Sequence, residues 1–183
     1  MAYRLNYTDV LKANFIPFDP VMYIILIGFP VGVLLMFLFR KKMSDKLGYS
    51  WIVLFIAAIM PIILMFLTDI SQVGAGWRIE NGKLMIKTYS GSDTLDIQNI
   101  KVSLADISSP WRPVTRINGY GTPGLGTGRY NLKNGKKAVV FRHMGSPQMV
   151  VLEYNNSYYV ISHPGVEELY QSLIAQGAKP AEL

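Results

Sequence analysis

The chain has 183 residues, a formal net charge of +6, 50% apolar residues and no cysteine. Disulfide frameworks and thiolate metal sites are therefore excluded. The basic balance points to a negatively charged neighbourhood. Nucleic acid is not the expected partner, because Arg40, Lys41, Lys42 and Lys46 share one short loop and the other basic residues are scattered.

In chain order, two apolar stretches come first. Val21 to Phe39 and Trp51 to Thr68 contain no charged residue. At about 1.5 Å per helical residue, each is long enough for a hydrocarbon core of about 30 Å. The expectation is an N-terminal two-helix transmembrane hairpin, with helices at about 21–39 and 51–68, inside a first domain of residues 1–70. Asp19 can cap the first helix and Pro20 suits its first position. Arg40-Lys41-Lys42 follows the first stretch where a leader would carry small residues and a cleavage site.

Basic residues near helix ends stay in the cytoplasm. Loop 40–50 is accordingly expected inside, with the N-terminus and the C-terminal domain outside. The expectation is a multi-pass protein of a bacterial cell membrane, with the lipid bilayer as a partner. Pro30 and Pro61 should kink their helices. Gly28 and Gly32 are four apart, the spacing that lets membrane helices approach closely, and are candidates for helix packing. Packing within the hairpin, homo-oligomerisation through it, and docking onto a protein partner all remain open. Neither stretch holds an ionisable residue from which to build a proton or ion path.

Residues 71–183 read as a second, mainly β domain. Trp77–Glu80 and Lys83–Thr88 flank Asn81-Gly82, a strong hairpin signal because both turn residues must reach positive φ. Short strands are expected at 94–97 and 114–117. A second hairpin joins 128–132 to 136–142, and a third joins 148–154 to 158–162. Val166, Leu169, Tyr170, Leu173 and Ile174 repeat at helical spacing, with Ser162 as the expected cap and Gly177 and Pro180 marking the end. Seven to eight antiparallel strands and one closing helix predict a small bent barrel with the helix over an open end.

Arg116-Ile117-Asn118-Gly119-Tyr120-Gly121-Thr122-Pro123-Gly124 is followed by Gly128-Arg129-Tyr130-Asn131-Leu132-Lys133-Asn134-Gly135-Lys136-Lys137-Ala138. These segments, with Tyr159–Pro164 and Glu168-Leu169, resemble the bacterial pleckstrin-homology-like domain family over about residues 76–176. The resemblance implies a PH-like barrel with a binding or scaffolding role, and it brings no catalytic residues.

Candidate sites are few. The segment from Gly119 to Gly128 holds five glycines, but no helix follows as a phosphate-binding loop would require. It reads as a structural loop, with Arg116 and Arg129 beside it as candidate ligand contacts. Lys133, Lys136 and Lys137 cluster at a hairpin tip, where a polyanion could bind or where they could simply be solvated. His143 and His163 have no paired ligand and read as an exposed strand end and an exposed helix cap. Asp93 and Asp96 have no identifiable partner, and Ser146 lacks a nucleophile-elbow pattern. No catalytic, cofactor or metal residue is expected. Three functions compete. One is a membrane-anchored binding or scaffold module engaging a protein partner or the polar membrane surface. Another is an accessory subunit of a membrane transporter or sensor complex. The third is an enzyme using the glycine-rich segment.

Overall fold

The computed structural model describes residues 1–16, 20–39 and 50–182. The chain divides into two compact units, residues 18–71 and residues 1–17 with 72–183.

The first unit is helical. Its leading apolar stretch is divided into α2 (Pro20–Tyr23), a π-helical turn (Ile24–Gly28) and α3 (Phe29–Leu38). The second stretch lies in α4 (Ser50–Ser71), which packs against α3. The last turns of α4 hold Thr68, Asp69 and Ser71; Asp69 is fully buried. Thr68 and Ser71 turn their hydroxyls back onto the carbonyls of Met65 and Thr68, at 2.7 and 2.6 Å. Among the described residues, no helix is long and apolar enough to cross a membrane.

The expected transmembrane hairpin is therefore corrected, and with it the multi-pass membrane location and the inside–outside orientation. In the first stretch the α-helical hydrogen bonding is interrupted by the π-helical turn at Ile24–Gly28. The basic loop on which the orientation rested, 40–49, lies outside the described residues. Gly28 falls in the π-helical turn and Gly32 in α3. Among the described residues, a Cβ at Gly28 would meet Ile24 Cγ2 at 3.8 Å, and one at Gly32 would meet nothing within 4 Å.

The second unit is mainly β, built from two sheets. Strand β1 (Ala2–Arg4) starts the chain, and α1 (Tyr7–Ala13) follows with a capping box between Asn6 and Asp9. Strands β2 (Gly76–Glu80), β3 (Lys83–Thr88) and β4 (Gly91–Asp96) complete a four-stranded antiparallel sheet in the order β1-β2-β3-β4. The Asn81-Gly82 turn has φ of 51° and 71°, as its sequence requires.

The remaining strands are β5 (Lys101–Asp106), β6 (Pro113–Gly121), β7 (Leu125–Leu132), β8 (Lys137–His143), β9 (Gln148–Tyr154) and β10 (Ser157–Ser162). With β11 (Lys179–Pro180) they form a seven-stranded sheet in the order β11-β5-β9-β10-β8-β7-β6.

This arrangement corrects the expected PH-like antiparallel barrel. The sheets are two and neither closes: β11 and β6 are edges of one, β1 and β4 of the other. Pairing is not wholly antiparallel either, since β10 runs parallel to β8 and β11 to β5. The cause is burial on both faces. Along β9 and β10, Val150, Leu152, Tyr159 and Ile161 join the main core, while Met149, Val151 and Val160 join a second one under Trp111. Strands covered on both sides read as continuous apolar runs and accept parallel neighbours.

The main core joins Trp77, Leu84, Ile86 and Leu95 of the small sheet to Val102, Leu125, Phe141 and Leu152 of the large one. The C-terminal helix α5 (Val166–Ala175) adds Val166, Leu169 and Leu173, all fully buried. It starts at Gly165, at φ 79°, without a side-chain cap. Ser162, the expected cap, is buried and donates to the carbonyl of Gln148 instead, at 3.2 Å.

Candidate functional site

The segment from Gly119 to Gly128 is not a loop. It is the end of β6, a tight turn and the start of β7, with Gly119 and Gly128 directly opposed in the ladder. Their φ values are 155° and 125°, and a Cβ on either would overlap the facing backbone. Strand β6 carries register shifts between Pro113 and Thr115 and between Arg116 and Asn118. The second leaves Ile117 unpaired in a bulge, where it is 48% exposed. Bulges of this kind re-aim side chains at strand edges.

Ile117 stands at the rim of a cavity of about 460 Å³. Arg129 of β7, Lys137, Ala138 and Val139 of β8, Tyr158 and Tyr159 of β10, and Asp93 of β4 line it. Tyr159 is buried, and burial is the main cause that pushes its phenol pKa up. The Asp93 charge pushes the same way and that of Arg129 opposes it. Among the described residues, the ion pairs are Arg78–Glu80 and Lys101–Glu153. Neither Arg129 nor Lys137 belongs to one, so the lining of this cavity holds two cations outside any ion pair and one carboxylate, Asp93.

The candidate basic residues are thus sorted rather than gathered. Arg129 and Lys137 share the cavity. Lys136 is tied down: its ammonium lies 4.7 Å from the Trp111 ring centroid and 4.3 Å from that of Tyr158, and it donates to Tyr158 Oη at 2.9 Å. Its part is structural, holding the hairpin tip onto the aromatic cover of the second core. Lys133 is exposed, and its backbone N–H donates to the Arg112 carbonyl at 2.9 Å.

Arg116 lies on the other side of the sheet. Its Nη1 is 2.5 Å from the point where a Gly121 Cβ would stand, and Tyr130 Oη is 3.6 Å from that point. A Cβ on Gly126, the ladder partner of Gly121, would lie 3.1 Å from Tyr130 Oη and 3.5 Å from Arg142 Nε. Arg142 belongs to no motif, and Tyr130 enters the sequence reading only as the aromatic of the Gly128–Ala138 segment, so neither stands out there as a ligand contact.

The two histidines are buried, at 5% and 2% exposure, which corrects the expectation of exposed positions. Trp77 Nε1 donates to His163 Nε2 at 2.9 Å, and His163 Nδ1 sits 2.7 Å from the Pro164 carbonyl. Since a carbonyl only accepts, Nδ1 holds the proton and the ring is neutral. Tyr3 stacks on His163 with ring centroids 3.9 Å apart, and its hydroxyl lies 2.6 Å from His143 Nδ1. Among the described residues, His143 Nε2 is buried with no hydrogen-bond partner. Burial pushes both imidazole pKa values down. This cluster fastens β1 to the large sheet. Among the described residues, no group of three His, Asp or Glu side chains could hold a metal ion.

Compared with known protein families, characterised proteins and solved structures, the chain matches none.

Proposed function

We propose that the β-rich unit is a binding module that takes an acidic polypeptide segment of a protein partner, and that it has no chemistry of its own. The observation that carries this reading is the cavity over Tyr159, with Arg129 and Lys137 outside any ion pair and Ile117 exposed at its rim. Interface anchors combine an apolar contact with charges that steer and orient the partner. The cavity offers both within one strand pair and its neighbour.

Strand β6 is also an edge of the large sheet. Its two bulges and Pro113 make it a poor template for a regular added strand. The partner is therefore read by side chains entering the cavity.

The test is a photo-crosslinking amino acid at Ile117 of the full chain. A discrete polypeptide adduct is expected, with its yield cut by about tenfold or more in the Arg129→Glu, Lys137→Glu double variant. Adducts that ignore the charge reversal would refute the reading.

A further inference from the structure

We propose that Arg116, Arg142 and Tyr130 form a second binding site, for a phosphate dianion, on the face of the large sheet opposite Arg129. Ladder register creates it. Arg116 pairs with Tyr130 across β6 and β7, and Gly126 pairs with Gly121 on one side and Arg142 on the other. Successive residues of β7 point to opposite faces, so Tyr130 and Gly126 share a face from which Arg129 is excluded.

The Arg116 guanidinium extends along its strand to lie over Gly121. From the other side Arg142 reaches over Gly126, with Nε and Nη2 3.5 and 3.7 Å from the position of its missing Cβ. The phenol of Tyr130 stands between them and donates to the Tyr120 carbonyl at 3.3 Å, a long and weak bond. Any side chain at Gly121 or Gly126 would occupy the space that these groups fill.

Two like charges drawn to one spot repel unless an anion joins them. Among the described residues, no carboxylate pairs with either arginine. The charges of Arg116 and Arg142 both act on the Tyr130 phenol and favour its ionised form. Burial raises its pKa and both guanidiniums oppose that rise, so the hydroxyl keeps its proton and remains a donor at neutral pH. Two planar guanidiniums present parallel N–H forks, which match tetrahedral oxyanions. A charge of minus two balances the pair, and that selects a phosphate or phosphate monoester over a single carboxylate.

The experiment titrates the full chain with inorganic phosphate and with phenyl phosphate, against sodium chloride at matched ionic strength. Arginine Nε–Hε resonances and the melting temperature are followed together. Saturable shifts of two arginine resonances are expected, both lost in the Arg116→Gln, Arg142→Gln double variant. Arg142→Lys, which keeps the charge but loses the fork, should weaken binding about tenfold. Lys133→Gln should bind as wild type does. Tighter binding of phenyl phosphate would assign the site to a monoester, and equal or weaker binding to the free ion. The proposal is overturned if chloride reproduces the shifts, if neither phosphate saturates, or if the folded double variant binds unchanged.

Discussion

Gly124→Ala tests how the N-terminal segment is held on the β-rich unit. Helix α1 ends against the β6–β7 turn. The Ala13 carbonyl accepts from the Gly124 N–H at 2.8 Å and from Thr122 Oγ1 at 3.1 Å. A Cβ on Gly124 would overlap the Ile16 carbonyl oxygen and lie 2.9 Å from Ala13 Cα. These are backbone atoms, so no rotamer change relieves the contact. Gly124 is not among the positive-φ glycines, so the effect isolates close approach from backbone strain. Moving α1 away costs the two hydrogen bonds, about 0.5–1.5 kcal/mol each. It also loosens Leu5 and Val10, which are 3% and 0% exposed. Full exposure of such side chains costs about 1.5–3 kcal/mol each. Partial displacement should therefore cost about 2–4 kcal/mol, which lowers the melting temperature by roughly 10 °C. Urea unfolding gives the free energy, and amide exchange of residues 1–16 locates the loosening. A variant within about 0.5 kcal/mol of wild type, with unchanged exchange, would refute the docking described for α1.

Further outcomes follow from the same packing. Leu169→Ala, in the fully buried face of α5, should cost about 2–5 kcal/mol in urea unfolding. Trp111→Ala should cost about 3–5 kcal/mol and release Lys136, whose methylene protons should lose their ring-current shift in NMR. Stability should fall with acid, because the folded-state pKa values of His143 and His163 lie below the ordinary 6.5. The unfolded chain takes up those protons first, so this contribution is whole above about pH 6.5 and is lost as pH falls through that value. Asp9 beside His143, and Glu167 and Glu168 near His163, oppose the burial and limit the loss, while each protonated ring would repel the other. Urea midpoints that are identical at about pH 7.5 and about pH 5.5 would contradict the buried neutral pair.

The parts of this fold that were legible in the sequence are local. Asn81-Gly82 and Asn155-Asn156 set positive φ at hairpin turns, and both turns are present. The spacing of Val166, Leu169 and Leu173 gives the buried face of α5. What was not legible is long-range. Nothing in Ala2–Arg4 shows that it pairs with β2, because a three-residue strand has no period to read. Nothing in Lys137–His143 shows that its neighbour is the parallel β10 rather than β9. Apolar content also misled. A hydropathy window over residues 21–39 is blind to the π-helical turn at Ile24–Gly28 that divides the stretch.

The basic residues show the same limit at the level of the site. Arg129 and Tyr130 are adjacent in the chain, yet the pleat sends one toward the cavity over Tyr159 and the other to the guanidinium pair. Lys136 and Lys137 part in the same way, one onto Trp111 and one into the cavity. A cluster of cations in sequence is thus two separate faces in space, and register alone decides the membership of each. The bulge at Ile117 matters for that reason. It absorbs one residue between Arg116 and Asn118, which keeps Arg116 opposite Tyr130 while Gly119 still meets Gly128. A regular ladder through this point would carry the pairing at one end out of phase by one residue. Arg116 would then turn to the Arg129 face, and the two charges at Gly121 and Gly126 would no longer meet. The bulge is therefore the element that makes both faces at once: it projects Ile117 at the rim of one and holds Arg116 in the other.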